Sequence, residues 1–68
     1  MMPSPQRSER FYAALDQLPQ IQRIVYLLAA RDSMAFADIA FRIGEDADAV
    51  EQHLADALKA LVQALADP

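Results

Sequence analysis

The sequence predicts an all-α fold, a small domain of four helices, and three observations lead to that class. Apolar residues recur at helical spacing in four segments, which places an apolar stripe along each helix. Fourteen of the 68 residues are alanine, the residue with the highest helix propensity. No segment shows the alternating pattern of a β-strand. Because the chain has no cysteine, its stability must come from helix packing.

The first helix is predicted from a candidate cap and from apolar spacing. Ser8 suits the N-cap position, because its hydroxyl can accept a hydrogen bond from a free backbone N–H. Residues 1–7 are therefore expected to be a flexible lead, and residues 8–66 the folded domain. The apolar residues that recur at i, i+4 and i+7 are Phe11, Leu15 and Leu18.

The second helix is expected to be the hub of the fold, packed on several sides. Pro19 suits its first turn, where a missing N–H costs nothing, and the helix runs to about Arg31. Its segment IVYLLAA is apolar nearly all round, as a central helix would be. Three further side chains beside apolar stripes are expected to pack in the core: Tyr12, Tyr26 and Met34.

A glycine and an aspartate separate the last two helices. Gly44 is expected to end the third helix, because glycine enters the left-handed region at least cost. Asp46 is a good N-cap for the fourth. The apolar face of the third helix contains Phe36, Ile39, Ala40 and Ile43. The stripe of the fourth contains Val50, Leu54, Ala57, Leu58, Leu61 and Leu65.

These two helices and their turn have the build of a helix-turn-helix, and the chain resembles a known family that carries it. The segments ALDQLPQIQRIVYLL, FADIAFRIG and AVEQHLADALKAL are similar to region 4 of bacterial sigma factors, especially the extracytoplasmic-function group. The resemblance extends over about residues 14–65 and implies a transcription-related domain. The residues that match in order and spacing are Leu18, Pro19, Arg23, Phe36, Asp38, Ile39, Ala40, Ile43, Gly44, Val50, Leu54, Ala57 and Leu61.

The second helix of the motif departs from that family where the family contacts promoter DNA. Residues 44–68 hold one lysine and six acids, a net charge of −5, whereas residues 1–43 hold five arginines and four acids, a net charge of +1. Acids near the major groove repel the phosphates of DNA. A helix without cations also lacks the binding free energy that comes from the release of counterions. Helix-dipole stabilisation explains the acids of the first turns but not the missing cations. The resemblance implies cations at the positions of Glu51, His53, Asp56 and Leu58.

These departures favour a function through protein contacts in transcription control. The expected partner is RNA polymerase, a sigma factor or an anti-sigma factor. Phe41 lies off the apolar stripe, next to the acidic turn, and is a candidate contact anchor. It is equally compatible with packing beneath the N-terminal segment. The candidate partner-binding residues are Phe41, Glu45, Asp48, Glu51, Gln52 and Asp56.

Two alternatives stay open. The first is weak binding to duplex DNA or to a promoter −35-type element, through cations of the first three helices and polar residues of the fourth. The second is a structural homodimer. It would bury Val62 and Leu65, by which the apolar stripe of the fourth helix extends beyond the length of a short recognition helix. The candidate DNA-binding residues are Arg23, Arg42, Gln52, His53 and Lys59. The basic residues of the first three helices are Arg7, Arg10, Arg23, Arg31 and Arg42.

Catalysis, cofactors and metals are not expected. His53 is the only histidine and has no cysteine or second histidine at ligand spacing, so we expect a side chain at the helix surface or boundary. A single glycine excludes a glycine-rich phosphate loop. The longest apolar run, Ile24 to Ala30, is too short to span a bilayer, and no signal peptide is visible. The chain is expected to be soluble and cytoplasmic.

Overall fold

Four helices account for most of residues 5–66, the part of the chain that the structure, a computed structural model, describes. Side chains are described from residue 9 onward. The helices are α1 (Pro5–Gln17), α2 (Gln20–Ala30), α3 (Phe36–Ile43) and α4 (Ala47–Ala66), and the described residues contain no strand. The predicted all-α fold, four helices with a helix-turn-helix formed by α3 and α4, is confirmed.

The first helix begins earlier than the sequence predicts. It starts at Pro5, so Ser8 lies inside α1 and is not its N-cap. Proline is well suited to a first helical position, since its φ angle is already helical and its missing N–H would have no partner there. Residues 5–7 of the predicted lead are therefore helical. The rest of that lead, residues 1–4, lies outside the described residues.

The boundaries of the next two helices agree with the predictions. Pro19 immediately precedes α2, with an extended ψ of 148°. Gly44 follows α3 with a φ of 74°, in the left-handed region, and its N–H donates to the carbonyl of Ala40. A β-carbon added to Gly44 would meet no atom within 4 Å, so the backbone angle alone favours glycine there. Gly44 thus acts as predicted, whereas Pro19 lies at the N-cap, one position before the first turn in which it was predicted.

The start of α4 also agrees with its prediction. The Oδ1 atom of Asp46 accepts a hydrogen bond of 2.8 Å from the backbone N–H of Ala49. The carbonyl of Asp46 accepts the first helical bond, from the N–H of Val50. Asp46 is thus the N-cap of α4.

The core consists of two clusters that are joined by α4. The first lies under the helix-turn-helix, and the second lies where α1 crosses the C-terminal half of α4. No charged or polar side chain among the described residues is buried. The buried residues of the first cluster are Val25, Leu28, Ile39, Ala40 and Val50. Those of the second are Leu15, Leu18, Ala57 and Leu61.

The hub of the fold is α4 and not α2, which corrects the prediction. Twenty residues make α4 about 30 Å long, enough to pack against α1, α2 and α3 in turn. The buried residues of α2 are only Val25 and Leu28, and Ile24 remains 36% exposed. An apolar segment is buried only where other helices cover it, and α2 is not covered on every side.

Several residues assigned to apolar stripes are more exposed than predicted. Leu58 and Leu65 of α4 are 45% and 38% exposed, and Phe36 of α3 is 37% exposed. Tyr12, expected in the core, is 64% exposed, although its ring makes an edge-on contact with Phe11. Phe36 is the first residue of α3, and the other three lie at the border or the end of a stripe, where burial depends on a neighbouring helix reaching that far. Tyr26 and Met34 pack against the clusters as predicted.

Candidate partner-binding surface

The buried stripe of α4 determines which of its side chains face outward. Val50 and Ala57 are fully buried, and they lie two turns apart on the inner side of the helix. The residues on the opposite side are Asp48, Gln52 and Lys59, and all three are exposed. The core contacts of α4 therefore present its acidic first turns to solvent.

Five exposed acids occupy the turn after Gly44 and the first half of α4, and we call them the acidic surface. All five have exposed side chains, and no lysine or arginine interrupts the sequence from residue 45 to residue 58. Among the described residues, the side chains of Asp48 and Glu51 form no hydrogen bond or ion pair, so their carboxylates face solvent unneutralised. The members are Glu45, Asp46, Asp48, Glu51 and Asp56.

Two side-chain contacts order this surface. The ring of His53 donates from Nε2 to Oε1 of Glu45 over 3.0 Å, which ties α4 to the turn. The His53 side chain is 23% exposed, in agreement with the boundary position expected for it. Further along α4, Nε2 of Gln52 donates to Oδ1 of Asp56 over 3.1 Å, an i, i+4 pair. Gln52 thus binds Asp56, one member of the acidic surface.

Phe41 is 90% exposed, on the side of α3 that faces away from the core. Its ring borders an open hollow of about 360 Å³, whose other lining residues are Met34, Asp38 and Arg42. The acidic surface contributes no residue to this hollow. The structure therefore places Phe41 in its own group, and Asp38 and Met34 are neighbours that the sequence prediction missed. The sequence could have indicated the first of these neighbours, because Asp38 lies three and four residues before Phe41 and Arg42 on the same helix.

Three arginines named in the DNA-binding alternative have intramolecular partners. Arg10 donates to the carbonyls of Ala64 and Leu65 at the end of α4, over 3.3 and 3.4 Å. Arg23 donates to the carbonyl of Asp16 over 3.4 Å. Each arginine thus serves a helix end within the fold.

The third of these arginines pairs with its neighbour in sequence. The guanidinium of Arg31 donates to both carboxylate oxygens of Asp32, over 3.1 and 3.3 Å. These hydrogen bonds lower the pKa of Asp32 below its ordinary value. Both side chains of the pair are exposed, so it contributes little to stability.

The cations that remain do not form a continuous basic surface. Arg42 and Lys59 form no hydrogen bond or ion pair among the described residues, but they lie on different helices. Arg42 is in the last turn of α3, beside Phe41, and the electrostatic influence of Arg42 reaches Asp32. The side chain of Arg7 lies outside the described side chains.

Neither a metal site nor a membrane-spanning helix is present in the part of the chain that the structure describes. No three side chains of histidine, cysteine, aspartate or glutamate are grouped so that they could bind a metal ion. Within residues 5–66, no helix combines the length and hydropathy that crossing a membrane requires.

The comparison with protein families assigns the fold. The family model described as sigma-70, region 4 matches residues 8–61, which include α2, α3, the turn at Gly44 and most of α1 and α4. The chain belongs to the sigma-70 region 4 family. No curated protein and no solved structure matches the chain significantly. The predicted resemblance to region 4 of sigma factors is confirmed.

Membership in this family gives the chain a transcription-related role. Region 4 domains of sigma factors are non-catalytic and contact RNA polymerase and DNA. The match ends at residue 61, whereas α4 continues to Ala66. The end of α4 that carries Val62 and Leu65 therefore lies outside the part of the chain that the family describes.

Proposed function

We propose that this sigma region 4 domain, of the extracytoplasmic-function type, acts in the cytoplasm through protein contacts with the transcription machinery. The partner is RNA polymerase, a sigma factor or an anti-sigma factor, and the contact surface is the acidic surface together with Phe41. The observation that carries this proposal is the exposure of five acids, with no lysine or arginine among them, in the turn and the first half of α4, which a DNA-reading domain turns toward phosphates.

The charge of this surface argues against promoter reading. Most non-specific affinity for DNA comes from cations that displace counterions from phosphates, and residues 45–58 supply none. The unneutralised carboxylates of Asp48 and Glu51 would add repulsion. Three arginines of the chain are engaged in contacts within the fold, which leaves few cations to compensate.

Phe41 gives the surface a second element that suits a protein partner. A phenylalanine that is 90% exposed gains free energy when a partner covers it, and aromatic residues are frequent anchors at protein interfaces. The hollow beside its ring contains both a carboxylate, Asp38, and a guanidinium, Arg42. These groups can orient a partner while the ring supplies apolar contact area.

The test restores the charges that the family has at this helix. We expect the triple variant Glu51→Lys, His53→Arg, Asp56→Arg to stay folded, because Glu51 and Asp56 are exposed and the His53 side chain reaches solvent. Its affinity for a random duplex, measured by fluorescence anisotropy, should rise and should fall again as salt is added. Its capture of core RNA polymerase, sigma factor or anti-sigma factor from the source cell should be lost.

A control with nearly the same change in charge, four units against the five of the triple variant, keeps this test specific. Glu9→Lys together with Asp16→Lys adds positive charge to exposed positions of α1 instead of α4. This variant should retain the protein partner and should gain less duplex affinity than the triple variant. If the triple variant retains the partner, the acids are merely solvated and Phe41 alone becomes the candidate contact.

The native chain should form no specific complex with a promoter-like duplex. Sub-micromolar, sequence-dependent binding near physiological salt would contradict the proposed function. In that event alanine substitutions of Arg23, Arg42 and Lys59 should remove the binding, which would assign the DNA contact to these cations.

A further inference from the structure

The C-terminal half of α4 exposes three large apolar side chains along one side, which we call the apolar flank. Leu58, Val62 and Leu65 are 45%, 64% and 38% exposed, and they follow one another at i, i+4 and i+7. That spacing places them in a row over two turns of the helix. Single exposed apolar side chains are common on protein surfaces, but a row of three indicates a contact surface.

The apolar flank is separate from the core stripe of the same helix. Ala57 and Leu61 are buried against α1 and α2, and Ala60 packs beside them. At about 100° per residue, the row through Leu58 and Val62 lies to one side of that stripe. Val62 is the most exposed member of the row and lies near its centre. The packing of the monomer therefore leaves the apolar flank exposed to solvent.

The charges around the apolar flank favour a second copy of the chain as its occupant. From Ala60 to Ala66 the helix itself contains no ionisable side chain, and the cation that reaches it from another helix is Arg10, which binds the carbonyls of Ala64 and Leu65. In a two-fold symmetric contact, residues near the axis meet their own copies, so a charge there would meet a like charge. A neutral flank avoids that repulsion. It also offers no charge pattern with which a different protein could be selected.

We propose that the apolar flank is a self-association surface on which the same flank of a second copy packs in antiparallel orientation. The antiparallel orientation follows from the acidic surface. Parallel helices would place two acidic surfaces side by side, whereas antiparallel helices place them at opposite ends of the contact. Alanines next to the flank, Ala55 and Ala66, allow the helices to approach closely.

The size of the flank determines how strong this association is. Stable dimers bury about 800 Å² per partner, and three side chains with neighbouring alanines provide only part of that area. The dimer is therefore weak and forms as concentration rises. Because the chain has a net charge of −4, added salt screens the repulsion between copies and strengthens the dimer. Contacts made by the acidic surface respond to salt in the opposite direction.

Sedimentation equilibrium of the full chain tests the proposal. The apparent mass should rise above 7.5 kDa toward twice that value with increasing concentration, and more steeply at higher salt. Val62→Glu should weaken the association at least about tenfold, because a charge would lie near the symmetry axis. Gln63→Glu is the matched control, since it adds the same charge at an exposed residue on another side of the same helix and should leave the association unchanged.

Cysteine cross-linking tests the orientation. The chain has no cysteine, so each introduced thiol is the only one present. A mixture of Leu58→Cys and Leu65→Cys chains should form mixed disulfides, because antiparallel packing brings these two positions together. Gln63→Cys, which is exposed on another side of α4, should cross-link much less.

Three results would overturn the proposal. The first is a native chain that remains monomeric up to about 1 mM, the limit of weak specific association. The second is an association that Gln63→Glu weakens as much as Val62→Glu. The third is preferential cross-linking of Leu58→Cys to itself, which indicates parallel packing. None of them bears on the proposed partner contact, which the Glu51, His53 and Asp56 substitutions test separately.

Discussion

The two halves of α4 bury the same kind of stripe but expose different chemistry. The first half buries Val50 and exposes the acidic surface. The second half buries Leu61 and exposes the apolar flank, and from Ala60 to Ala66 it has no ionisable side chain. One helix thus carries an electrostatic surface and an apolar surface on a continuous core. The difference teaches that the buried stripe and the turn specify this fold, while exposed positions are free to change the binding chemistry. Family membership follows from the buried stripe and the turn, and it does not determine the binding chemistry of the exposed positions.

A charge in the core beneath the acidic half should have the largest effect. Ile39 is fully buried against Val25 and Val50, so Ile39→Asp would bury an unpaired carboxylate at a cost of several kcal/mol. That cost is comparable with the whole stability of a domain this small, about 3 to 10 kcal/mol. We expect circular dichroism to show an unfolded chain. Because α4 joins both clusters, the two halves should unfold together.

The matched control for this change is Ala37→Asp, at an exposed position in the first turn of the same helix. It should melt like the native chain, because a carboxylate near a helix N-terminus is favourable. A folded Ile39→Asp variant would mean that the inner side of α3 has been misassigned.

Neighbouring residues in the second half of α4 should differ sharply in their effect on stability. Leu61 is 4% exposed, and Leu61→Ala should lower the free energy of unfolding by about 2 to 5 kcal/mol. Val62 is 64% exposed, and Val62→Ala should change it by less than about 0.5 kcal/mol. Urea denaturation, at a concentration where the chain is monomeric, measures both. Similar losses for the two variants would show that the flank is already covered within the monomer.

The two ends of α4 offer a smaller contrast. Asp46→Ala removes the N-cap of the acidic half and should cost about 1 kcal/mol, whereas Asp46→Asn should keep most of that stability. Arg10→Ala removes the contacts to the carbonyls of the other end and should cost less, since they are exposed and long. Thermal melts should show the largest loss of stability for Asp46→Ala and smaller losses for Arg10→Ala and Asp46→Asn. A larger loss for Arg10→Ala would show that α1 anchors α4 more strongly than the cap does.

The smallest effect is expected on the outer side of the acidic half. The hydrogen bond between Gln52 and Asp56 is an exposed i, i+4 pair, worth about 0.2 to 0.5 kcal/mol. A double-mutant cycle with Gln52→Ala and Asp56→Ala should give a coupling in that range. A coupling well above 1 kcal/mol would indicate that the acidic surface is a rigid, prearranged structure.

Local features of the sequence were sufficient to predict most of the helix ends. Gly44 and Asp46 each act through a backbone angle or a side chain that reaches three residues, so their roles do not depend on distant contacts. Ser8 failed as a predicted cap, because Pro5 begins the helix one turn earlier. The sequence left both exposure and packing open for Phe41, and the structure decided for exposure, at 90%. Its role in binding stays a prediction.

The sequence by itself determined the helical class, the turn between α3 and α4, the family and the acidity of α4, because periodicity, turn chemistry and charge are properties of short segments. Only the tertiary structure decided that α4 is the hub, that Leu58 and Leu65 remain exposed, and that Arg10 binds the end of α4. Burial and long-range pairing depend on which helix covers which side. That coverage is set by how segments far apart in the chain pack against one another.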